Sequence, residues 1–250
     1  MNFDLDSAAS ARREQALTVA RDVVVPAAAA IDGTGVVPAA VRDALRAVVP
    51  ASPAANATEW VIAIEALATV SPAMALVAAG EGLAAPSVSA TAQWTGLHGV
   101  DVDGLAVALA GQGSWQLAVS ATLVGAARAA VEAGVGALKT AKDAGTVDEA
   151  GQPLVADAAT AVDASRLLLW DAARHAAASD AAALAGGLAR THALESVTLA
   201  WQAAERACGA EAFRPGTALE RIRRDALTVT QVLGDTSGAL AAVAAGTLPR

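Results

Sequence analysis

The chain has 250 residues, a net charge of -8, two Phe, no Tyr and a hydrophobic content of 55% that is dominated by alanine. The negative charge argues against a nucleic-acid surface and gives no support to binding at anionic membranes. The single cysteine, Cys208, excludes an intrachain disulfide and suits a reducing compartment. The acidic first residues do not resemble a secretory signal, so we expect a cytoplasmic protein.

The first part of the chain, residues 1–83, predicts an N-terminal helical domain. Helical patterns alternate with turn signals over four segments, which are 10–32, 37–50, 59–70 and 71–83. Pro26 lies inside the first pattern and predicts a kink or a break. Ser71 is a candidate N-cap, with Pro72 at the first helical position. Alanine lets helices approach closely, which favours a compact bundle.

Residues 84–114 are predicted to form a connector, because Gly, Ser, Thr and short Val pairs interrupt any helical period. An uncharged span between Asp103 and Arg128 is long enough to cross a bilayer. It contains several Gln, Ser and Gly residues, so we interpret it as part of a buried helix of a soluble protein.

Residues 115–250 predict a C-terminal domain of four long helices. In the first of them, large apolar residues recur every seven positions and small residues follow three positions later, at Ser120, Ala127 and Gly134. This spacing predicts a face that packs closely against another helix. The spacing of Thr217 and Glu220 is that of a capping box and predicts the start of the last long helix. The expected fold class is therefore all-α.

The sequence offers no strong motif for chemistry. The three histidines, His98, His175 and His192, are far apart, and none has a second metal ligand at short spacing, so we expect no metal site. The segment GVGALK lies within a helical pattern and is not a dinucleotide-binding loop.

Several segments resemble acyl-CoA dehydrogenases. They are ARDVVVPAAAAIDGTGVVP from Ala20, AIEALATVSPAMAL with an acid at Glu65, VADAATAVDASRLLLWDAA, and ERIRRDA from Glu220 to Ala226. The last segment is similar to the family signature Glu-Arg-x-x-Arg-Asp-Ala and is the most specific; we expect it to form a structural helix with its own ion pairs. The resemblance implies an N-terminal helical bundle and a C-terminal four-helix bundle. The connector is too short for the family's middle β-domain, which covers one face of the flavin.

The flavin motifs implied by the resemblance are altered. The family's Arg-x-x-Phe-Gly becomes AKDAG, with Ala141 and Ala144 at the arginine and phenylalanine positions. The family's Gly-Gly-x-Gly turn becomes GAEA, in which only Gly209 survives and Glu211 would bring negative charge toward a pyrophosphate. We therefore predict no bound cofactor, unless a partner chain completes an FAD site.

The positions of the family's catalytic glutamate are also altered. Counting along the resemblance places the usual base at Leu233 or Gly234, and the alternative base at Trp115, followed by Gln116. None is a carboxylate, so we predict no catalytic residue of the family type. Residues expected to line the former flavin and substrate cavity are Trp115, Gln116, Glu211, Leu233, Asp235 and Thr236. Asp235 and Glu211 could act as acid or base there, or serve as a helix cap and a solvated loop residue.

Three hypotheses remain open at this point. The first is a flavin-free relative that acts as a structural or regulatory subunit, either in a homo-oligomer or paired with a complete acyl-CoA dehydrogenase. The second is a non-redox enzyme, or a binder of an acyl or other apolar ligand, that uses the emptied cavity. The third is a subunit of a mixed dehydrogenase complex whose partner supplies FAD and the catalytic base.

Overall fold

A computed structural model describes residues 5–50, 53, 56–82, 113–146, 148–176, 179–233, 240–241 and 244–245. Throughout these ranges the regular structure is helical, and none of them contains a strand, which confirms the all-α prediction. The N-terminal helices are α1 (Ser7–Val19), α2 (Val25–Thr34), α3 (Ala39–Val48), α4 (Ala57–Ala68) and α5 (Pro72–Gly82). The C-terminal helices are α6 (Gly113–Asp143), α7 (Gly151–His175), α8 (Ser179–Cys208) and α9 (Ala218–Leu233). Most of the connector lies outside the described residues.

Helices α1 and α2 are joined without a break. A π-helical turn, Ala20–Val24, lies between them, and the Val25 N–H donates to the Ala20 carbonyl five residues earlier. Pro26 follows this turn at the start of α2, where its missing N–H does no harm. The break predicted at Pro26 is therefore absent, because the widened turn accommodates the proline ring. Helix α2 ends at Gly35, whose φ of 69° is in the left-handed region that glycine adopts readily.

Helix α4 is the buried centre of the N-terminal helices. It begins after Asn56, whose side chain accepts a hydrogen bond from the Glu59 N–H at 3.1 Å. Every residue from Trp60 to Ala68 is buried, so α4 has no solvent-facing side over this range. Ser71 then caps α5, because its Oγ accepts from the Met74 N–H at 3.3 Å. This contact confirms the predicted cap.

Helix α6 is the central helix of the C-terminal bundle. Ser120 and Ala127 are fully buried, and a Cβ at Gly134 would lie 3.1 Å from Cγ2 of Val155 in α7. The predicted close-packing face is therefore confirmed as a contact between helices of one chain.

The same helix is long and apolar enough to cross a membrane, but 72% of its most apolar window is buried inside the bundle. Over this window it therefore packs as a core helix of the bundle.

Helix α6 also meets α4 at a very close crossing. A Cβ added at Gly125 would lie 2.3 Å from the carbonyl oxygen of Glu65 and 2.6 Å from Cβ of Ala68. No side chain larger than hydrogen fits at this position. Gly125 therefore sets how closely the N-terminal helices approach the C-terminal bundle.

Candidate functional site

The two residues at the start of α6 point into the protein. Trp115 is only 2% exposed and belongs to the hydrophobic core. Gln116 is half-buried, and its side-chain oxygen lies 3.8 Å from where a Cβ on Gly186 of α8 would stand. At the alternative base position that the resemblance implies, the chain therefore carries a buried indole.

The other predicted cavity residues are not all described by the structure. Leu233 is the last residue of α9, and the description covers its backbone but not its side chain. Gly234, Asp235 and Thr236 lie outside the described residues, so their predicted roles stay predictions.

Glu211 lies in a 3-10 helix, Gly209–Phe213, that follows α8. Its carboxylate is exposed and pairs with Arg214. The thiol of Cys208, next to this turn, lies 3.6 Å from the carbonyl oxygen of Ala133 in α6. Ala133 is about 27 Å along the helix axis from Trp115 at the helical rise of ~1.5 Å per residue. Glu211 and Trp115 therefore lie toward opposite ends of α6.

Ala141 and Ala144 occupy the altered flavin motif at the end of α6. The Ala141 carbonyl accepts two hydrogen bonds from Thr146, at 2.8 Å from its N–H and 2.9 Å from its hydroxyl. Ala144 is exposed. These two methyl side chains offer no donor to an anionic or aromatic ligand.

A buried ionic cluster joins three helices at the centre of the molecule. Glu65 of α4 is 2% exposed, and its Oε1 lies 3.0 Å from Nη1 of Arg128 in α6 and 2.8 Å from Nε of Arg166 in α7. Its Oε2 accepts from Nε1 of Trp170 at 3.3 Å. The Arg166 guanidinium also lies over the Trp170 ring, 4.8 Å from its centroid. We call these four residues the Glu65 cluster.

The Glu65 cluster is built to hold helices together. A buried carboxylate is stable only when charged donors satisfy it, and here both guanidinium groups and the indole N–H do so. The sequence resemblance noted the acid at Glu65 but missed its partners. Arg128 and Arg166 each interrupt an apolar stretch of a long helix, and this pattern could have indicated a buried ion pair.

The signature segment in α9 makes a second set of contacts. Arg223 pairs with Glu205 of α8 at 2.6 Å, and Arg224 pairs with Asp32 of α2 and with Glu220 at 3.3 Å. These contacts confirm the prediction that this segment carries its own ion pairs. Asp225, in contrast, is 6% exposed and accepts one hydrogen bond, from the Ala73 N–H at 3.3 Å.

An open groove lies between the end of α7 and the start of α8. It has a volume of about 220 Å³ and is lined by Leu168, Asp171, His175, Leu184, Ala185 and Leu188. Asp171 pairs with Arg174 at 3.1 Å and with His175 at 3.5 Å, so its charge is already compensated. In the described ranges, no group of three or more His, Cys, Asp or Glu side chains is arranged to hold a metal ion.

These observations define an all-helical protein in which a group of short helices is tied by buried polar contacts to a bundle of four longer ones. The sequence profile described as acyl-CoA dehydrogenase, C-terminal domain, matches residues 102–248. The chain therefore belongs to the acyl-CoA dehydrogenase family. None of the described ranges forms the family's middle β-domain, because their regular structure is helical. No curated protein matches it by sequence.

Three solved structures from different organisms have a fold similar to that of this chain. Butyryl-CoA dehydrogenase from Megasphaera elsdenii aligns over 100% of both chains with a TM-score of 0.79 and 12% identity. A structure described as an electron transferring flavoprotein of Acidaminococcus fermentans aligns over 100% of both chains with a TM-score of 0.80 and 13% identity. Nitroalkane oxidase from Podospora anserina aligns over 100% of this chain and 97% of its own, with a TM-score of 0.70 and 14% identity. At these identities the similarity defines the fold alone.

Proposed function

We propose that this chain is an acyl-CoA dehydrogenase-like protein that has lost flavin binding and dehydrogenase activity and serves as a structural or regulatory subunit. The observation that carries the proposal is the burial of Trp115, which is 2% exposed at the alternative base position that the family resemblance implies. An indole has no basic atom that could remove a proton next to a thioester carbonyl.

The residues at the former flavin positions support the same proposal. Ala141 and Ala144 provide no hydrogen-bond donor from their side chains, and Glu211 presents a carboxylate where a pyrophosphate would require positive or neutral groups. These residues do not fit an FAD, so we propose that the chain alone holds no cofactor.

The charged groups of the core also favour a structural role. Both arginines of the Glu65 cluster contact Glu65, and Arg224 contacts Asp32 and Glu220. A catalytic carboxylate must be reachable by substrate, whereas Glu65 is enclosed by its partners.

Exposed apolar side chains provide a surface that another subunit can contact. Several large apolar side chains of the described residues are exposed, among them Leu154 at 46%, Leu199 at 46% and Phe213 at 50%. These side chains are available for contact with a second protein surface. We propose a cytoplasmic homo-oligomer, or a hetero-oligomer with a complete acyl-CoA dehydrogenase.

The test is to purify the chain alone and together with a complete acyl-CoA dehydrogenase, and to measure flavin absorbance and mass in solution. The proposal expects a colourless protein that forms an oligomer. A yellow protein with dehydrogenase activity on its own would overturn it, and so would a colourless monomer that copurifies with nothing. A complex that is yellow only with its partner would favour the mixed-complex hypothesis, in which the partner supplies FAD and the base.

The groove between α7 and α8 favours a second candidate, binding of an apolar ligand. Its lining is mainly leucine and alanine, but its volume of about 220 Å³ is below the range of roughly 300–1,000 Å³ that is usual for ligand pockets. An acyl ligand that raised the melting temperature of the wild-type chain, but not that of Leu188→Glu, would support this candidate.

A further inference from the structure

Asp225 joins the last long helix to the N-terminal helices. It lies in α9, and its Oδ2 accepts a hydrogen bond from the Ala73 N–H at the start of α5, 152 residues earlier. Its side chain is 6% exposed and lies between α2, α5 and α9. The state of this one carboxyl group therefore affects the contact between distant parts of the chain.

The charged residues near Asp225 form their contacts with groups other than its carboxyl group. Arg224 contacts Asp32 of α2 and Glu220 of α9, and Arg221 donates from Nη1 to the Gly216 carbonyl at 2.7 Å. Within the described ranges, Asp225 forms no ion pair. The carboxylates of Asp32 and Glu220 add negative charge to its surroundings, whereas Arg224 opposes that effect.

The start of α5 provides polar groups but no ionisable side chain at this point. Ser71 faces the same space, and its Oγ accepts from the Met74 N–H at 3.3 Å. The Ala73 N–H is thus the hydrogen-bond donor to Asp225 in the described part of the chain. An ionised buried carboxylate requires two or three donors, whereas a protonated carboxyl group can accept the single bond from Ala73 through its carbonyl oxygen.

A small cavity lies beside the carboxyl group. It has a volume of about 20 Å³ and is bordered by Ile31, Asp32, Ser71, Met74 and Arg221 in addition to Asp225. A space of this size holds about one water molecule. One water does not hydrate a carboxylate fully, so ionisation of Asp225 is unfavourable in this arrangement.

We propose that Asp225 is a proton-controlled latch that holds α9 against the start of α5 when protonated and weakens the junction of α2, α5 and α9 when ionised. This inference is independent of the proposed function. Burial raises the pKa of Asp225 from 3.8 to about 8, against the opposing effects of the Ala73 hydrogen bond and Arg224. The carboxyl group of Asp225 therefore changes between its protonated and ionised forms near pH 8.

The direction of the pH effect follows from proton binding. The unfolded chain releases the Asp225 proton near 3.8, and the folded chain retains it up to about 8. Between pH 3.8 and about 8, the folded state holds one more proton than the unfolded state. The stabilisation that Asp225 contributes is therefore complete below pH 3.8 and is lost as the pH rises through about 8. Over this interval the unfolding equilibrium constant should rise by up to about tenfold per pH unit.

The experiment compares urea unfolding of the wild-type chain and Asp225→Asn from about pH 5.5 to about pH 9. Asparagine still accepts from the Ala73 N–H but does not ionise, so the stability of the variant relative to wild type should increase with pH up to about 8 and then level off. Asp157→Asn, at an exposed position on α7, is the matched control and should show no such trend. Parallel pH profiles for wild type and Asp225→Asn would overturn the proposal.

A second measurement uses the wild-type chain and does not depend on the folding of a variant. The amide proton and nitrogen signals of Ala73 are followed by NMR over the same pH range. The latch predicts a titration of these signals with a midpoint near the pKa of about 8 for Asp225. Signals that stay constant across this range would contradict it.

Discussion

The carboxylate of Glu65 lies 2.8 Å from Nε of Arg166, although 101 residues separate the two in sequence. Arg128 approaches the same oxygen at 3.0 Å. The contact therefore joins α4 of the N-terminal helices to α6 and α7 of the C-terminal bundle. Removal of the carboxylate leaves two partly buried guanidinium groups without their shared counter-charge.

Glu65→Gln should destabilise the fold by about 3–5 kcal/mol, since it keeps the shape of the side chain but removes its charge. The free energy of unfolding, measured with urea, tests this. The matched control is Glu132→Gln, which removes an exposed partner of Arg128 at 3.6 Å and should cost less than about 1 kcal/mol. Equal losses for the two variants would contradict a structural role for the Glu65 cluster.

Gly125→Ala should lower the melting temperature markedly, because the added Cβ would lie 2.3 Å from a backbone carbonyl oxygen of α4. Overpacking of this kind costs about 1–3 kcal/mol or more. Gly136→Ala in the same helix meets nothing within 4 Å, so it should stabilise the protein by about 0.5–1 kcal/mol through helix propensity. Thermal unfolding by circular dichroism measures both. A stabilised Gly125→Ala variant would show that α4 and α6 are further apart than described.

Trp115→Ala should destabilise the protein by about 3–5 kcal/mol, because it removes a large buried side chain and leaves a cavity. Trp115→Phe keeps most of the buried area and should lose much less. Chemical denaturation of both variants checks the expectation. If Trp115→Ala retained full stability, the indole would not be part of the core.

Local signals in the sequence predicted much of the fold. The caps at Ser71 and Thr217 were predicted from residue type and spacing, and both accept the expected backbone hydrogen bonds, at 3.3 Å and 3.2 Å. Such caps depend on residues three positions apart, so no knowledge of the tertiary structure is needed. The small-residue face of α6 was predicted for a related reason, because helical periodicity is visible within one segment.

Features that depend on distant residues were not predictable in the same way. The π-helical turn before Pro26 has no signal in the local sequence, which predicted a kink or a break there. The need for glycine at position 125 depends on which helix crosses α6 and how closely. The assignment of Trp115 to a former base position stays a prediction from the sequence, whereas its depth of burial came from the structure.

The Glu65 cluster also has a consequence for the order of folding during synthesis. A chain emerges from the ribosome N-terminus first, so α4 is complete long before Arg128 and Arg166 exist. Until then, burial of Glu65 would leave its carboxylate without a counter-charge. We therefore expect the N-terminal helices to remain loosely associated while the chain grows, and to reach their final packing only after position 166 has left the exit tunnel.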